Sequence, residues 1–163
     1  MFMRRLPIYF LIDVSESMVG EPITQVEKGM RNIIQELRTD PYALETVFVS
    51  VIVFAGKAKV LSPLTELYKF YPPQFPIGGG TSLGTALDCL MNDIDKSVKK
   101  TTVEMKGDWK PIIFLFTDGM PTDNPQQAST DGTHIIRERR IWYVFQSVTI
   151  LILKCLEKSR TMC

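Results

Sequence analysis

Histidine is almost absent from this chain, with His134 alone among 163 residues. That excludes His-rich zinc sites and leaves any Ser-His-Asp triad dependent on one side chain. Cysteine is nearly as scarce: Cys89, Cys155 and Cys163 are scattered, with no Cys-x-x-Cys pair. Neither a disulfide framework nor structural zinc is expected, and a reducing interior is. Net charge is missing too, because 19 Lys and Arg against 18 Asp and Glu leave +1. No surface for coating nucleic acid and no acidic tail follow from that balance. Long apolar runs are also lacking. The run Leu6–Ile12 follows Arg4-Arg5 but closes at Asp13 with no small-x-small cleavage site, so it reads as a strand rather than a signal peptide. Ile141–Leu153 is interrupted by Gln146 and Ser147 and falls short of the ~20 residues that span a bilayer. The expectation is a soluble protein with no membrane partner.

What is present is an ordinary globular balance, 45% hydrophobic and 23% charged, in a length suited to one domain. Leu6–Ile12 is apolar without alternation, as in a central strand covered on both faces. Glu21-Pro22 opens a helix whose apolar positions Ile23, Val26, Met30, Ile33, Ile34 and Leu37 recur at three and four, and which stops near Asp40-Pro41. Thr46–Phe54 is β-branched and aromatic and reads as a second strand, with Ala58–Leu64 as a short neighbour after Gly56. Beyond the breaker-rich Tyr71–Pro76 and Gly78-Gly79-Gly80, a helix is expected after Thr81, with Leu83, Ala86, Leu87, Leu90, Met91 and Ile94 on its buried side. Pro111–Phe116 is a further apolar strand, with Trp109 and Lys110 as a lead-in packing on the core. Strands alternating with helices predict an α/β domain with a mainly parallel sheet, whose function gathers beyond the strands' carboxyl ends.

Three segments place small oxygen donors at such ends. Asp13-Val14-Ser15-Glu16-Ser17 follows the first strand, Gly80-Thr81-Ser82 precedes a helix, and Thr117-Asp118-Gly119 follows another strand. The alternating Asp-x-Ser-x-Ser spacing lets three oxygens face one point from a tight loop, with Thr81 and Asp118 completing the cage. Oxygen donors with few carboxylates suit a hard cation, Mg²⁺ or Mn²⁺, with water in the remaining places. The glycine run is no phosphate loop, since no Gly-Lys-Ser/Thr follows it and no strand directly precedes it. Its role is to let the backbone turn so that Thr81 reaches the ion.

In this order and spacing, Asp13, Ser15, Ser17, Thr81 and Asp118 resemble the metal-ion-dependent adhesion site (MIDAS) of the von Willebrand factor type A domains. The resemblance implies a Rossmann-like fold, helices on both sides of the sheet, and metal-dependent protein binding rather than catalysis. It further implies a partner that offers an Asp or Glu carboxylate to the ion. Glu16 occupies a variable position of the motif and is not counted as a ligand. Arg4–Tyr9, Gly20–Ile23, Asp40–Thr46, Gly107–Pro111 and Thr117–Asp123 look like the TerY-like, tellurium-resistance branch of the family. That implies a cytoplasmic bacterial protein of a stress-response system. The alternative class is a metal-dependent phosphotransferase or phosphatase, because Asp13-Val14-Ser15 is similar to an aspartyl-phosphate loop with Ser15 where a second Asp belongs.

The resemblance divides the chain into a core, residues 1–128, and an atypical segment, residues 129–163, in which the family's Trp-containing helix and Asp-x-x-Asp-Thr helix are missing. Read one base out of frame, with free choice of synonymous codons, Val148–Cys163 yields Asp-Asn-Thr-Asp-Thr-Lys-Met-Leu-Gly-Lys-Ile-Thr-Asp-Asn-Val, and Thr130–Thr133 permits Arg-Trp-Asn. A frameshift is therefore one expectation. The other is a divergent end that still supplies a strand at Ile141–Leu153. Arg137, Arg139 and Arg140 read as a solvated face or an out-of-frame accident.

Overall fold

The computed structural model describes residues 3–117, 141–145 and 148–154. Its elements in chain order are β1 (Leu6–Asp13), α1 (Glu21–Thr39), α2 (Pro41–Thr46), β2 (Val47–Phe54), β3 (Ala58–Glu66), α3 (Leu83–Ser97), β4 (Ile112–Thr117), β5 (Ile141–Phe145) and β6 (Val148–Lys154). One six-stranded sheet holds them in the order β3-β2-β1-β4-β6-β5. β1 lies parallel to both β2 and β4, while β3, on β2, and β6, on β4, run antiparallel and β5 returns along β6. Four strands thus share one direction, as an α/β fold with a mainly parallel sheet requires. The stretch expected as a single strand at Ile141–Leu153 is two strands, paired antiparallel from Ile141↔Ile152 to Phe145↔Val148.

Alternation along β1 and β2 sends side chains into two separate cores. On one face Ile8, Phe10, Ile12, Val49, Val51 and Val53 meet Val26, Met30 and Ile34 of α1, together with Ala43 of α2. On the other, Tyr9, Leu11, Ile52, Phe54, Ile113 and Leu115 meet Ala86, Leu87 and Leu90 of α3. Each large aliphatic side chain so buried contributes about 1.5–3 kcal/mol. Phe10 stacks on Phe114 and Phe116 across the β1–β4 pair, at centroid separations of 5.3 and 6.1 Å. Met91, expected on the buried side of α3, is only half-buried, because that face centres on Ala86, Leu87 and Leu90.

α1 begins where Pro22 occupies the first turn and ends at Asp40, whose carboxylate accepts a hydrogen bond from Tyr42 N–H at 2.9 Å. That bond, with Pro41 in the next first turn, starts α2, so Asp40-Pro41 ends one helix and opens another. Thr46, expected in the strand, closes α2 by donating to the Tyr42 carbonyl at 2.7 Å. Trp109, expected to pack on the core, is 47% exposed, and the Arg4 guanidinium lies 3.9 Å above its ring. Arg5 reaches Asp108 through both its Nε and an Nη, at 2.9 and 2.6 Å, and also donates to the Ser97 carbonyl. The amino ends of β1 and β4 are clamped by this pair, with Trp109 N–H bonding the Arg5 carbonyl at 2.8 Å.

Tyr9 is fully buried and donates its hydroxyl to Asp93 of α3 at 2.9 Å. Burial, then the neighbouring Asp93 carboxylate, pushes its ionisation well above the usual phenol range. A raised folded-state value means that the stabilisation from neutral Tyr9 is complete below the unfolded value of about 10 and is lost as pH rises above it. In an alkaline titration followed by phenolate absorbance, Tyr9 is expected to ionise only together with unfolding. Tyr9→Phe should remove that component; its persistence in the variant would assign it to another tyrosine.

Candidate metal centre

β1, β2 and β4 end at the same edge of the sheet, because the register pairs Asp13 with Phe54 and Ile12 with Phe116. Past Asp13 the backbone continues for one more ladder bond, Val14 N–H to the Phe54 carbonyl at 2.8 Å. It then closes a tight 3₁₀ turn, Glu16–Met18, with Met18 N–H on the Ser15 carbonyl at 2.9 Å. Met18 is fully buried and anchors this loop in the core beneath it.

Asp13 is fully buried, and both its carboxylate oxygens are engaged. Oδ1 accepts from Ser15 N–H at 2.9 Å, which folds the loop back over the strand end, and Oδ2 accepts from the Thr117 hydroxyl at 2.8 Å. Ser15 Oγ and Ser17 Oγ meet at 3.0 Å. The alternating spacing read from the sequence therefore brings the two hydroxyls to one point.

The loop carrying Thr81 is tied to this one by main-chain bonds. Gly78 N–H donates to the Val14 carbonyl at 2.9 Å, and Ser15 and Gly78 form a parallel bridge. Gly56 N–H donates to the Gly79 carbonyl at 2.7 Å, and Ser82 N–H to the Ala55 carbonyl at 2.7 Å. A Cβ on Gly56 would stand 2.8 Å from the Gly79 carbonyl oxygen, so this approach requires glycine. Gly80 takes a φ of +76°, which delivers Thr81, 5% exposed, to the loop's inner side immediately before α3. Ser82 caps α3, accepting from Thr85 N–H.

Of the five residues predicted for the site, Asp13, Ser15 and Ser17 share one turn, and Thr81 lies in the loop bonded to that turn. Asp118 lies outside the described residues, as do His134, Cys155 and the Arg137–Arg140 cluster. Thr117 has a part that sequence reasoning missed: as the last residue of β4, it holds the carboxylate of Asp13. The signal available was its place before Asp118 at a strand end neighbouring β1.

The donor set consists of oxygens, which suits a hard divalent cation, and the Ser15 and Ser17 hydroxyls stand at hydrogen-bond distance from each other, 3.0 Å. A carboxylate held in place by two donors still has lone pairs for the ion or for a water bound to it. Asp13, Ser15, Ser17 and Thr81 are the described residues that could hold such an ion.

The sequence profile of the von Willebrand factor type A domain matches residues 8–141. Inter-alpha-trypsin inhibitor heavy chain H1 of Bos taurus is 25% identical over 135 residues, which are 82% of this chain and 14% of that protein. The chain thus spans about a seventh of the curated relative's length. Among solved structures, the pilus adhesin SpaC from Lactobacillus rhamnosus GG superposes with a TM-score of 0.57 at 20% identity, over 74% of this chain and 15% of that one. Proximal thread matrix protein 1 of the mussel byssus, with a zinc-occupied MIDAS motif, superposes with a TM-score of 0.52 at 20% identity, over 82% of this chain and 33% of that one. These structural likenesses bear on the fold.

Proposed function

The chain belongs to the von Willebrand factor type A domain family, and from that premise we propose that it is a non-enzymatic binding module. Its Asp13-Ser15-Ser17-Thr81-Asp118 site takes Mg²⁺, or Mn²⁺, and captures a protein partner. Domains of this family commonly mediate protein–protein interaction, and some carry a metal site of this type. The observation that carries the reading is the meeting of Ser15 and Ser17 hydroxyls at 3.0 Å beside a buried carboxylate. When bound, the ion would offer an open coordination position to a carboxylate of the partner. The protein's own work is to hold the oxygens in place: Ser15 N–H and Thr117 fix Asp13, and the Gly78 bridge fixes the loop of Thr81. The zinc-occupied motif of the mussel thread protein supports a divalent ion at such a site, and the hydroxyl-rich donor set here favours Mg²⁺.

Two features of Asp13 weigh against phosphoryl transfer. It is fully buried with both oxygens bonded, and Ser15 stands where the second carboxylate of an aspartyl-phosphate loop belongs. A tellurium-resistance or related stress role in the bacterial cytoplasm rests on the TerY-like segments described above. The division at Ala128, and an out-of-frame origin for residues 129–163, rest on the same resemblance. They stand or fall with the sequence of the encoding DNA.

The test is calorimetric titration of Mg²⁺ and Mn²⁺ into the purified chain, alongside an assay of p-nitrophenyl phosphate hydrolysis. Saturable binding without turnover is the expected result. Turnover that EDTA stops would move the protein to the metal-dependent phosphatase class, and no binding of either ion would remove the metal-site reading.

A further inference from the structure

Between Ser15 and Ser17 sits Glu16, the exposed carboxylate of a loop whose other carboxylate, Asp13, is buried. Its Oε1 lies 3.9 Å from where a Cβ on Gly79 would stand, so the side chain reaches across to the loop that carries Thr81. Among the described residues it makes no ion pair and no side-chain hydrogen bond. Lys57 is exposed on the turn whose Gly56 holds Gly79, yet it does not pair with Glu16. Glu21, exposed at the start of α1, adds a second carboxylate five residues further along the chain.

An unpaired carboxylate on the rim of a cation site has two electrostatic consequences. It favours the ion, and it repels a partner that arrives with further negative charge. A partner segment carrying only acidic side chains would gain one contact at the ion and lose against Glu16. One that pairs its carboxylate with a neighbouring Lys or Arg satisfies both. We propose that Glu16 is the specificity element of this surface, selecting partner segments in which a metal-capping Asp or Glu has a basic residue beside it. The inference rests on the metal-site reading above, to which it adds the partner's charge pattern.

The probes are two acetylated, amidated tetrapeptides, Gly-Asp-Lys-Gly and Gly-Asp-Gln-Gly, titrated into the Mg²⁺-loaded chain and followed by amide chemical shifts. At low ionic strength the lysine peptide should bind about two- to five-fold more tightly, the range of an exposed ion pair, and the preference should fade in high salt. Glu16→Gln should equalise the two peptides, and Glu16→Lys should reverse their order. Both substitutions lie on an exposed side chain, so the fold is retained. Equal binding of the two peptides to the unaltered chain, a preference that survives in Glu16→Gln, or no peptide binding to a chain that has taken up Mg²⁺ would each overturn the proposal. Magnesium-dependent binding without a lysine preference overturns only the role of Glu16. Binding unchanged by EDTA overturns the metal-site reading and this inference with it.

Discussion

Asp13→Ala is expected to weaken Mg²⁺ binding by more than about a hundredfold, beyond the range for loss of an outer-sphere partner. Asp13 is the one described carboxylate fully buried at the strand ends, and its two oxygens organise both flanking elements: Ser15 through its N–H and β4 through Thr117. Removing it takes away a fixed negative charge at the site and deprives the buried Ser15 N–H of its acceptor. A buried donor left without its acceptor costs about 1–3 kcal/mol, so the variant should also unfold at lower denaturant. Thr117→Val separates the two effects, because it keeps the carboxylate and removes one of the bonds that aim it. A loss of about tenfold is expected there, with recovery in Thr117→Ser. Calorimetry at a temperature where all four proteins are folded reads the comparison. Undiminished Mg²⁺ binding by Asp13→Ala would falsify the placement of the ion at this strand end.

At the other end of β1, Arg5→Met should lower the unfolding free energy by about 3 kcal/mol, the cost of leaving a buried charge without its counter-ion. The Asp108 side chain is 3% exposed and takes both Arg5 bonds as well as Lys99 N–H at 2.7 Å. With Arg5 gone it keeps only the backbone donor. Arg5 also lies over the Phe48 ring at 4.9 Å and bonds the Ser97 carbonyl, so packing at the start of β2 and the end of α3 loosens together. Urea unfolding should show the midpoint falling by about 1.5 M. Combining Arg5→Met with Asp108→Leu should restore part of the loss, since an apolar pair leaves no stranded carboxylate. Mg²⁺ affinity should be unaffected, because Arg5 and Asp13 are separated by the length of β1, roughly 26 Å. A change in affinity as large as that of Asp13→Ala would show that the two ends of the strand are coupled.

The parts of this molecule that local chemistry dictates were legible in the sequence. The unbroken apolar run Leu6–Ile12 is a strand buried on both faces, and the stripe from Val26 to Ile34 is the core side of α1. The Asp-x-Ser-x-Ser spacing yields a turn with converging hydroxyls, because Asp13 bonds the backbone two residues on. The features that escaped notice depend on contacts distant in sequence. Thr117's place before Asp118 at a strand end was the one local signal, and it does not name a partner 104 positions earlier. Trp109 looked like core by its hydrophobicity, but an arginine from the first strand's lead-in claims its ring at the surface. The helix Pro41–Thr46 was readable from Asp40-Pro41, and its six residues disappeared between a long helix and a strong strand signal. Asp118 lies outside the described residues, so its part in the site rests on the motif alone.

The loop that bears Thr81 is fastened to its neighbours by main-chain hydrogen bonds, through Val14, Ala55, Gly56, Gly78, Gly79 and Ser82. Backbone amides and carbonyls are the same whatever side chains flank them. The exposed residues Glu16, Val19 and Ile77 are therefore free to mutate without disturbing the main-chain bonds that hold the loop. A module built this way can be readdressed from one binding partner to another by surface substitutions alone. On the proposed reading, the glycines with Asp13, Ser15, Ser17 and Thr81 form a fixed chassis, and the exposed rim becomes a short, rewritable label.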